Sequence, residues 1–296
     1  MKIFRILIPV SVLLIAGFIS TSCDKLSEPY ATVKNEFDST NRPYVLLEEY
    51  TGHKCINCPL ATQKAQKLVA YYKTKLILME VHGTSLADPD AKYTLDLRTA
   101  EGNQWITDFA IPYVPMALVN RATYGSAFPV ASDQWALAVE SEMAKPVKTM
   151  IKATAAYNDD TKEFSANVKV WFKRKLSAGA NICLYIVEDS IVGKQANKDT
   201  AAGPTPEIDP YYFNETFRGS MNGNYGDQLT PTVDTTVMYT FSKIAKINGT
   251  VYDSTQLSLI TAITDPSLAT KGQIIGVNKV KVALVAKKGK LQGIKP

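Results

Sequence analysis

The chain has 296 residues, of which 33 are lysine or arginine and 28 are aspartate or glutamate, so its formal net charge is +5. This mild excess carries no basic stripe with interleaved aromatic side chains, so we predict no nucleic-acid partner. The length is greater than one hydrophobic core comfortably fills, and two domains are therefore expected once a leader is removed.

The first 22 residues have the three parts of a secretory signal: a basic start, an apolar run and small residues that lead into Cys23. The apolar run is shorter than the about 20 residues that a membrane span needs, which argues against a transmembrane anchor. A cysteine at the cleavage point is typical of a bacterial lipobox, although Ser20 stands where leucine is usual. We therefore predict a lipoprotein signal over residues 1–22, with plain secretion as the alternative. Residues 23–42 are then the lipidated Cys23 and a polar tether.

Residues 43–145 alternate strand-like and helical patterns, which predicts an α/β arrangement of layers. The strand-like runs are rich in β-branched and aromatic residues, and the helical runs have apolar residues at helical spacing. Strands are predicted over residues 44–50, 75–81 and 116–120, and helices over residues 58–72, 99–109 and 133–143.

Cys55 and Cys58 stand at the junction between the first predicted strand and the first predicted helix. There the N-terminal thiol lies near unpaired amide N–H groups and the positive end of the helix dipole, which stabilise a thiolate. Cys55 is thus the candidate nucleophile and Cys58 the thiol that resolves a mixed disulfide. The main alternative is a permanent disulfide that staples the helix start in an oxidising compartment.

A metal site is a weaker alternative, because zinc takes about four ligands and the chain has only two histidines, His53 and His82. We predict neither a metal nor a cofactor. His53 is expected to face solvent from a loop, or else to modulate the pKa of the Cys55 thiol. His82 is expected to be an ordinary hydrogen-bonded residue at a strand end.

After residue 146 the pattern is of strands alone, which predicts a β-sandwich over residues 146–296. The turn signature Asn158-Asp159-Asp160 predicts a hairpin between its first two strands. Cys183 lies in an apolar strand and is expected to be a small buried core residue. Residues 193–228 are polar, aromatic and rich in proline, and are expected to form a long functional or mobile loop. The predicted strands cover residues 147–157, 163–174, 182–187, 235–241, 257–263 and 279–285.

A strand, a Cys-x-x-Cys at a helix start and a Val-Pro dipeptide before a later strand together resemble the thioredoxin superfamily. In that family the proline follows a cis peptide bond and packs beside the disulfide, which implies this place for Pro115. The position of Glu49, six residues before Cys55, implies the buried acid that exchanges a proton with the second thiol. Because Glu48 and Glu49 are neighbours on a strand, one of the two is expected to point outwards.

The whole chain also resembles the lipoproteins of Bacteroidetes related to the twenty-eight-kilodalton outer membrane protein. The segments that carry this resemblance are EEYTGHKCINCPLA, IPYVPMALVN, YIVEDSIVGKQ and the later FRG. The resemblance implies an outer-membrane lipoprotein, on either the periplasmic or the surface face. It implies a fold of α/β plus all-β class, with a thioredoxin-like domain over residues 43–145 followed by an immunoglobulin-like β-sandwich.

Two hypotheses about function follow from the sequence. In the first, the membrane-anchored protein performs thiol–disulfide exchange on exported proteins through Cys55 and Cys58. In the second, it is a non-enzymatic envelope lipoprotein with a structural disulfide, and its β-sandwich binds a protein or a surface glycan. Two features weigh against the enzyme: no tryptophan flanks the thiols, and the β domain has no evident catalytic purpose.

Overall fold

The computed structural model describes residues 43–268 and 272–285. The predicted signal, Cys23 and the tether lie outside the described residues. Within the described ranges, no helix has both the length and the apolar composition that crossing a bilayer requires.

The N-terminal part is built around strand β1, which runs parallel to β2 and antiparallel to β3. The predicted strands and helices of this part are present, with end positions that shift by a few residues. The elements are β1 (Val45–Thr51), α1 (Cys58–Tyr72), β2 (Leu76–His82), α2 (Ala100–Asp108), β3 (Met116–Val119), β4 (Val130–Ala131) and α3 (Trp135–Met143).

Helix α1 has the bounds that the sequence predicts. Pro59 occupies its first turn, where the missing N–H leaves no hydrogen bond unmade. The small side chains of Ala61 and Ala65 repeat at helical spacing and are buried, so the helix approaches the sheet closely. This face of α1 packs in one apolar cluster with strand residues Val45, Leu47, Leu76 and Leu78.

The C-terminal part consists of strands, as predicted from its pattern. The hairpin between β5 and β6 is confirmed, and the Asn158 side chain accepts backbone N–H bonds from Asp160 and Thr161 at 3.0 and 3.2 Å. Cys183 is free and fully buried, as predicted. The strands are β5 (Thr149–Asn158), β6 (Glu163–Phe172), β7 (Ala180–Glu188), β8 (Ile191–Ala196), β9 (Glu207–Phe213), β10 (Thr216–Ser220), β11 (Asp227–Thr230), β12 (Met238–Ala245), β13 (Leu257–Asp265) and β14 (Gln273–Leu284).

One mixed sheet of 12 strands joins the two parts of the chain, in the order β12-β6-β5-β14-β13-β7-β10-β2-β1-β3-β4, with β11 on β7. Strand β10 makes the connection, because it pairs antiparallel with β7 and parallel with β2 through Thr216 and Glu80. The sheet therefore crosses the predicted domain boundary near residue 145. The division into two domains and the immunoglobulin-like sandwich stay predictions.

The prediction of a long loop over residues 193–228 is wrong. This stretch holds the end of β8, all of β9 and β10, and the first two residues of β11. Strands β8 and β9 form a separate two-stranded hairpin, in which β9 is an edge strand and tolerates Pro210. Prolines in and between these strands interrupt the alternating pattern by which strands are predicted from sequence.

The prediction that either Glu48 or Glu49 points outwards is also wrong, because both side chains are fully buried. Strand β1 is central, and apolar clusters cover both of its faces. Glu48 forms a buried ion pair with Arg121, whose Nε and Nη2 donate to its carboxylate at 2.8 and 2.6 Å. The guanidinium of Arg121 lies 4.8 Å from the centre of the Trp105 ring, and the two groups form a cation–π contact.

Candidate disulfide site

Cys55 and Cys58 form a disulfide at the start of α1. A tight turn holds the pair, since the N–H of Cys55 donates to the Gly52 carbonyl at 2.9 Å and the N–H of Cys58 donates to the Cys55 carbonyl at 3.3 Å. Between the two cysteines, Ile56 and Asn57 are exposed. The site is therefore in its oxidised form.

The disulfide is almost completely shielded, with Cys55 exposed by 2 % and Cys58 by 1 %. The Sγ atom of Cys55 lies 3.7 Å from the carbonyl oxygen of Val114. The bond between Val114 and Pro115 is cis, the geometry that the thioredoxin resemblance implies. The structure thus brings Cys55, Cys58 and Pro115 together, but it leaves little sulfur surface for an attacking thiol.

Residues 195–198, at the end of β8, lie over the turn that holds the cysteines, and we call them the capping segment. The side chain of Gln195 is buried, and its amide donates to the carbonyls of Cys55 at 3.0 Å and Gly52 at 3.3 Å. One side chain from a distant part of the chain therefore satisfies two backbone acceptors of the cysteine turn.

The backbone of the capping segment adds two further hydrogen bonds. The N–H of Ala196 donates to the His53 carbonyl at 2.8 Å, and the N–H of Lys198 donates to the Ile56 carbonyl at 3.1 Å. Between them, the buried Asn197 amide donates to the backbone carbonyls of Asp199, Gly203 and Pro204. No local sequence pattern indicates this role, although the segment YIVEDSIVGKQ ends at Gln195.

Glu49 occupies the buried position that the thioredoxin resemblance implies. Thr62 of α1 donates its hydroxyl to Glu49 Oε1 at 2.9 Å, while Oε2 has no hydrogen-bond partner among the described residues. Burial raises the pKa of Glu49 from 4.5 to about 8, an effect that the Thr62 bond partly opposes. The carboxyl is therefore mainly protonated at neutral pH.

Glu80 is the strand neighbour of Glu49 on β2, and it is also buried. Burial and the adjacent Glu49 raise the pKa of Glu80 well above its usual value. Burial raises the pKa of Tyr211 on β9, and the charges of Glu80 and Glu49 raise it further. The β8–β9 hairpin thus bonds to the cysteine turn through Gln195, and the charges of the two buried acids act on its Tyr211.

The prediction that His53 faces solvent is wrong, because the residue is only 1 % exposed. Its ring stacks on Tyr93 with centroids 5.4 Å apart, and Nε2 lies 3.2 Å from the Asp88 carbonyl. Burial lowers the pKa of His53, so its ring does not supply a positive charge to Cys55 near neutral pH. Burial also lowers the pKa of His82, to about 3.

No group of three or more histidine, cysteine, aspartate or glutamate side chains that could hold a metal ion occurs in the described ranges. The site therefore consists of the buried Cys55–Cys58 disulfide and the protonated carboxyl of Glu49 on β1. This arrangement is suited to stabilising the turn, and exchange with another thiol would require the buried sulfur atoms to become exposed.

Comparison with solved structures shows similarity in fold. HBP35 of Porphyromonas gingivalis is 14 % identical, with a TM-score of 0.63 over 85 % of this chain and 80 % of that chain. A protein from Agrobacterium tumefaciens is 10 % identical, with a TM-score of 0.50 over 82 % of this chain and 96 % of that one. A domain of the outer membrane lipoprotein Omp28 from P. gingivalis is 18 % identical over 47 % of this chain and 92 % of its own, but its TM-score of 0.28 supports no structural argument.

A search of curated proteins found no match. The family model described as outer membrane protein Omp28 matches residues 102–285, which is more than half of the chain. This match confirms the predicted family and the predicted outer-membrane location. The chain therefore belongs to the Omp28 family of outer membrane proteins.

Proposed function

We propose that this protein is a lipid-anchored envelope protein that acts by binding a partner, and that its disulfide is a structural staple. In this proposal Cys23 carries the lipid, and the thioredoxin-like part over residues 43–145 serves as the scaffold. The β part over residues 146–296 presents the surface for a protein or glycan of the envelope.

The observation that supports this function is the shielding of the Cys55–Cys58 disulfide. A working exchange enzyme needs a sulfur that a substrate thiol or disulfide can reach. Here both cysteines are at most 2 % exposed, and Gln195 donates two hydrogen bonds to the turn that holds them. A disulfide in this position stabilises the start of α1 without needing to react.

The reduction potential of the Cys55–Cys58 pair tests this proposal, by equilibration of the mature protein in glutathione buffers and alkylation of the free thiols. A potential below about −300 mV is expected of a structural disulfide. A potential between about −120 and −270 mV would place the pair among working oxidoreductases and would contradict the staple.

Thiol–disulfide exchange is the second candidate function, and the buried acid Glu49 is the observation that favours it. In the reduced protein the Cys55 thiolate would attack a substrate disulfide and release one substrate thiolate. The Cys58 thiol would then pass its proton to ionised Glu49, attack Cys55 and release the second substrate thiolate. Since the pKa of Glu49 is about 8, the acid can take up and return a proton near neutral pH.

A trapping experiment tests this second function. Cys58→Ser is expected to trap mixed disulfides with substrates, and Cys55→Ser/Cys58→Ser provides the matched negative control.

Lipid anchoring has a separate test, which is the distribution of the protein between membrane and soluble fractions of cells that export it. The Cys23→Ser variant is expected to move to the soluble fraction, because it lacks the thiol that carries the lipid. Recovery of Cys23→Ser entirely in the membrane fraction, after a salt wash, would contradict anchoring through this residue.

A further inference from the structure

A cleft lies at the start of β1, whereas the disulfide follows the other end of this strand. Its volume is about 600 Å³, within the range of small-ligand sites. The start of β2 and residues 278–281 of β14 line the cleft, and β2 pairs with β10 at only one position, Thr216 with Glu80. Tyr44 and Val69 contribute apolar walls.

The rim of this cleft is basic. Lys73, Lys279 and Lys281 line it, with Glu215 as the one carboxylate of the lining. Lys279 pairs with Glu215, and Lys281 pairs at 2.9 Å with Asp189, which lies outside the lining. The lining residues therefore carry a net positive charge, and Lys73 and Lys281 are exposed to solvent. An anionic group is the ligand that such a rim attracts.

The floor of the cleft contains a buried hydroxyl that lacks a partner. Ser258 is 0 % exposed, and its Oγ has no hydrogen bond to any described residue. Its cross-strand partner on β13 and β14 is Lys281, so the two side chains lie on the same face of the sheet. A buried hydroxyl without a partner costs free energy, which a ligand oxygen that accepts its hydrogen bond would recover.

The position of the cleft relates it to the proposed lipid anchor. Twenty residues separate Cys23 from Tyr44, and Tyr44 lines the cleft at the point where the tether joins the folded body. Lys75 stands beside this point, with its Nζ 3.9 Å from the centre of the Tyr44 ring. The basic rim is thus on the part of the body to which a membrane anchor would be connected.

We propose that this cleft binds the phosphate of an anionic membrane lipid, with the lysine rim around the phosphate and Ser258 donating to one of its oxygens. This proposal depends on the proposed function at one point: the lipid anchor brings the folded part of the protein to a membrane. Strand β1 has seven residues and spans about 20 Å at ~3.3 Å per residue. Lipid binding at its start would therefore hold the disulfide and the capping segment away from the membrane surface.

The test uses the mature chain with Cys23→Ser, so that no covalent lipid contributes, and co-sedimentation with vesicles. Binding to vesicles of phosphatidylcholine with phosphatidylglycerol is expected, with little binding to phosphatidylcholine alone. Lys73→Ala/Lys281→Ala is expected to weaken binding about thirtyfold, since each lysine near an anionic surface contributes about 1 kcal/mol. Equal binding to both kinds of vesicle would overturn the proposal.

The matched control is Lys92→Ala/Lys194→Ala, which removes the same charge from two ion-paired lysines beside the β8–β9 hairpin. This control is expected to change vesicle binding less than twofold, because the two lysines lie beside His53 near the disulfide and do not line the proposed site. A loss as large as that of the Lys73 and Lys281 pair would show that net charge alone drives binding, and the site would be rejected.

Ser258→Ala separates a ligand role from a structural one. Removal of an unpartnered buried hydroxyl is expected to leave the free energy of unfolding unchanged or higher, while vesicle binding falls about threefold to tenfold. Unchanged binding by Ser258→Ala would refute its contact with the ligand.

The last experiment uses inorganic phosphate in place of vesicles and measures whether it stabilises the protein against unfolding. If phosphate stabilises the protein only when Lys73 and Lys281 are present, and the protein shows no preference between vesicles, the lipid proposal is overturned. A negative result in any arm leaves anchoring through Cys23 to its own fractionation test.

Discussion

Replacement of Glu49 by glutamine removes a titrating group from the buried space between β1 and α1 while keeping the shape of the side chain. Because burial raises the pKa of Glu49 to about 8, the folded protein holds this proton more tightly than the unfolded chain does. The stabilisation that comes from this group is fully present below pH 4.5. It is lost progressively as the pH rises towards 8.

The size of the effect follows from the two pKa values. A rise from 4.5 to about 8 corresponds to about 5 kcal/mol over the whole window, and to about 2 to 3 kcal/mol between pH 5 and pH 7. Wild-type protein is therefore expected to lose stability over this range. In Glu49→Gln the loss is expected to shrink by about 2 kcal/mol. Glu80 still titrates in this variant, so Glu49→Gln/Glu80→Gln is expected to flatten the profile further.

The measurement is urea unfolding of the mature protein at several pH values between 5 and 8, with constant m-values as the check that the same transition is followed. Glu140→Gln is the matched control, because Glu140 is an exposed glutamate on α3 and its replacement leaves the buried acids intact. An unchanged pH profile in Glu49→Gln would refute the protonated state of Glu49. A flattened profile in Glu140→Gln would show that general charge effects dominate.

Three further predictions concern the disulfide, its cover and the buried ion pair. Cys55→Ser/Cys58→Ser is expected to lower the free energy of unfolding by about 2 kcal/mol, as the chain-entropy estimate for so short a loop gives; a loss below 0.5 kcal/mol in chemical denaturation would argue against a staple. Gln195→Ala is expected to speed reduction of the disulfide by dithiothreitol about tenfold, since about 1 kcal/mol or more of hydrogen bonding over the turn is lost. An unchanged rate, followed by mass spectrometry of alkylated thiols, would mean that the capping segment does not limit access. Arg121→Met is expected to cost about 3 to 5 kcal/mol by leaving Glu48 buried without its cation, and Glu48→Leu in the same chain is expected to restore most of it; thermal unfolding that shows no recovery in the double variant would contradict an ion-pair origin.

Local patterns were sufficient to predict the elements around the candidate site. The alternation of apolar residues in β6 and the helical spacing in α1 depend only on the repeat of the backbone, which neighbouring residues reveal. The Cys-x-x-Cys spacing and Pro59 likewise marked the start of α1. The β8–β9 hairpin was missed, because prolines interrupt its alternation and only pairing between distant residues makes it a strand pair.

The burial of the disulfide site could not be predicted, because it results from contacts between residues that are far apart in the sequence. Gln195 lies 140 residues from Cys55, yet its amide donates to the Cys55 carbonyl and ties the cysteine turn to the β8–β9 hairpin. Similarly, Glu48 is neutralised by Arg121, 73 residues away, and Glu49 is buried because α1 packs over β1.

The sequence by itself predicted the export signal, the alternation of strands and helices over residues 43–145 and the placement of the two cysteines at the start of α1. Each of these features depends on residues that are close together along the chain. Only the tertiary structure decided that one sheet joins both parts, that the disulfide is covered, and that Glu49 holds a proton at neutral pH. Burial and pKa depend on which distant segments displace water from a side chain, and that is a property of the packed molecule.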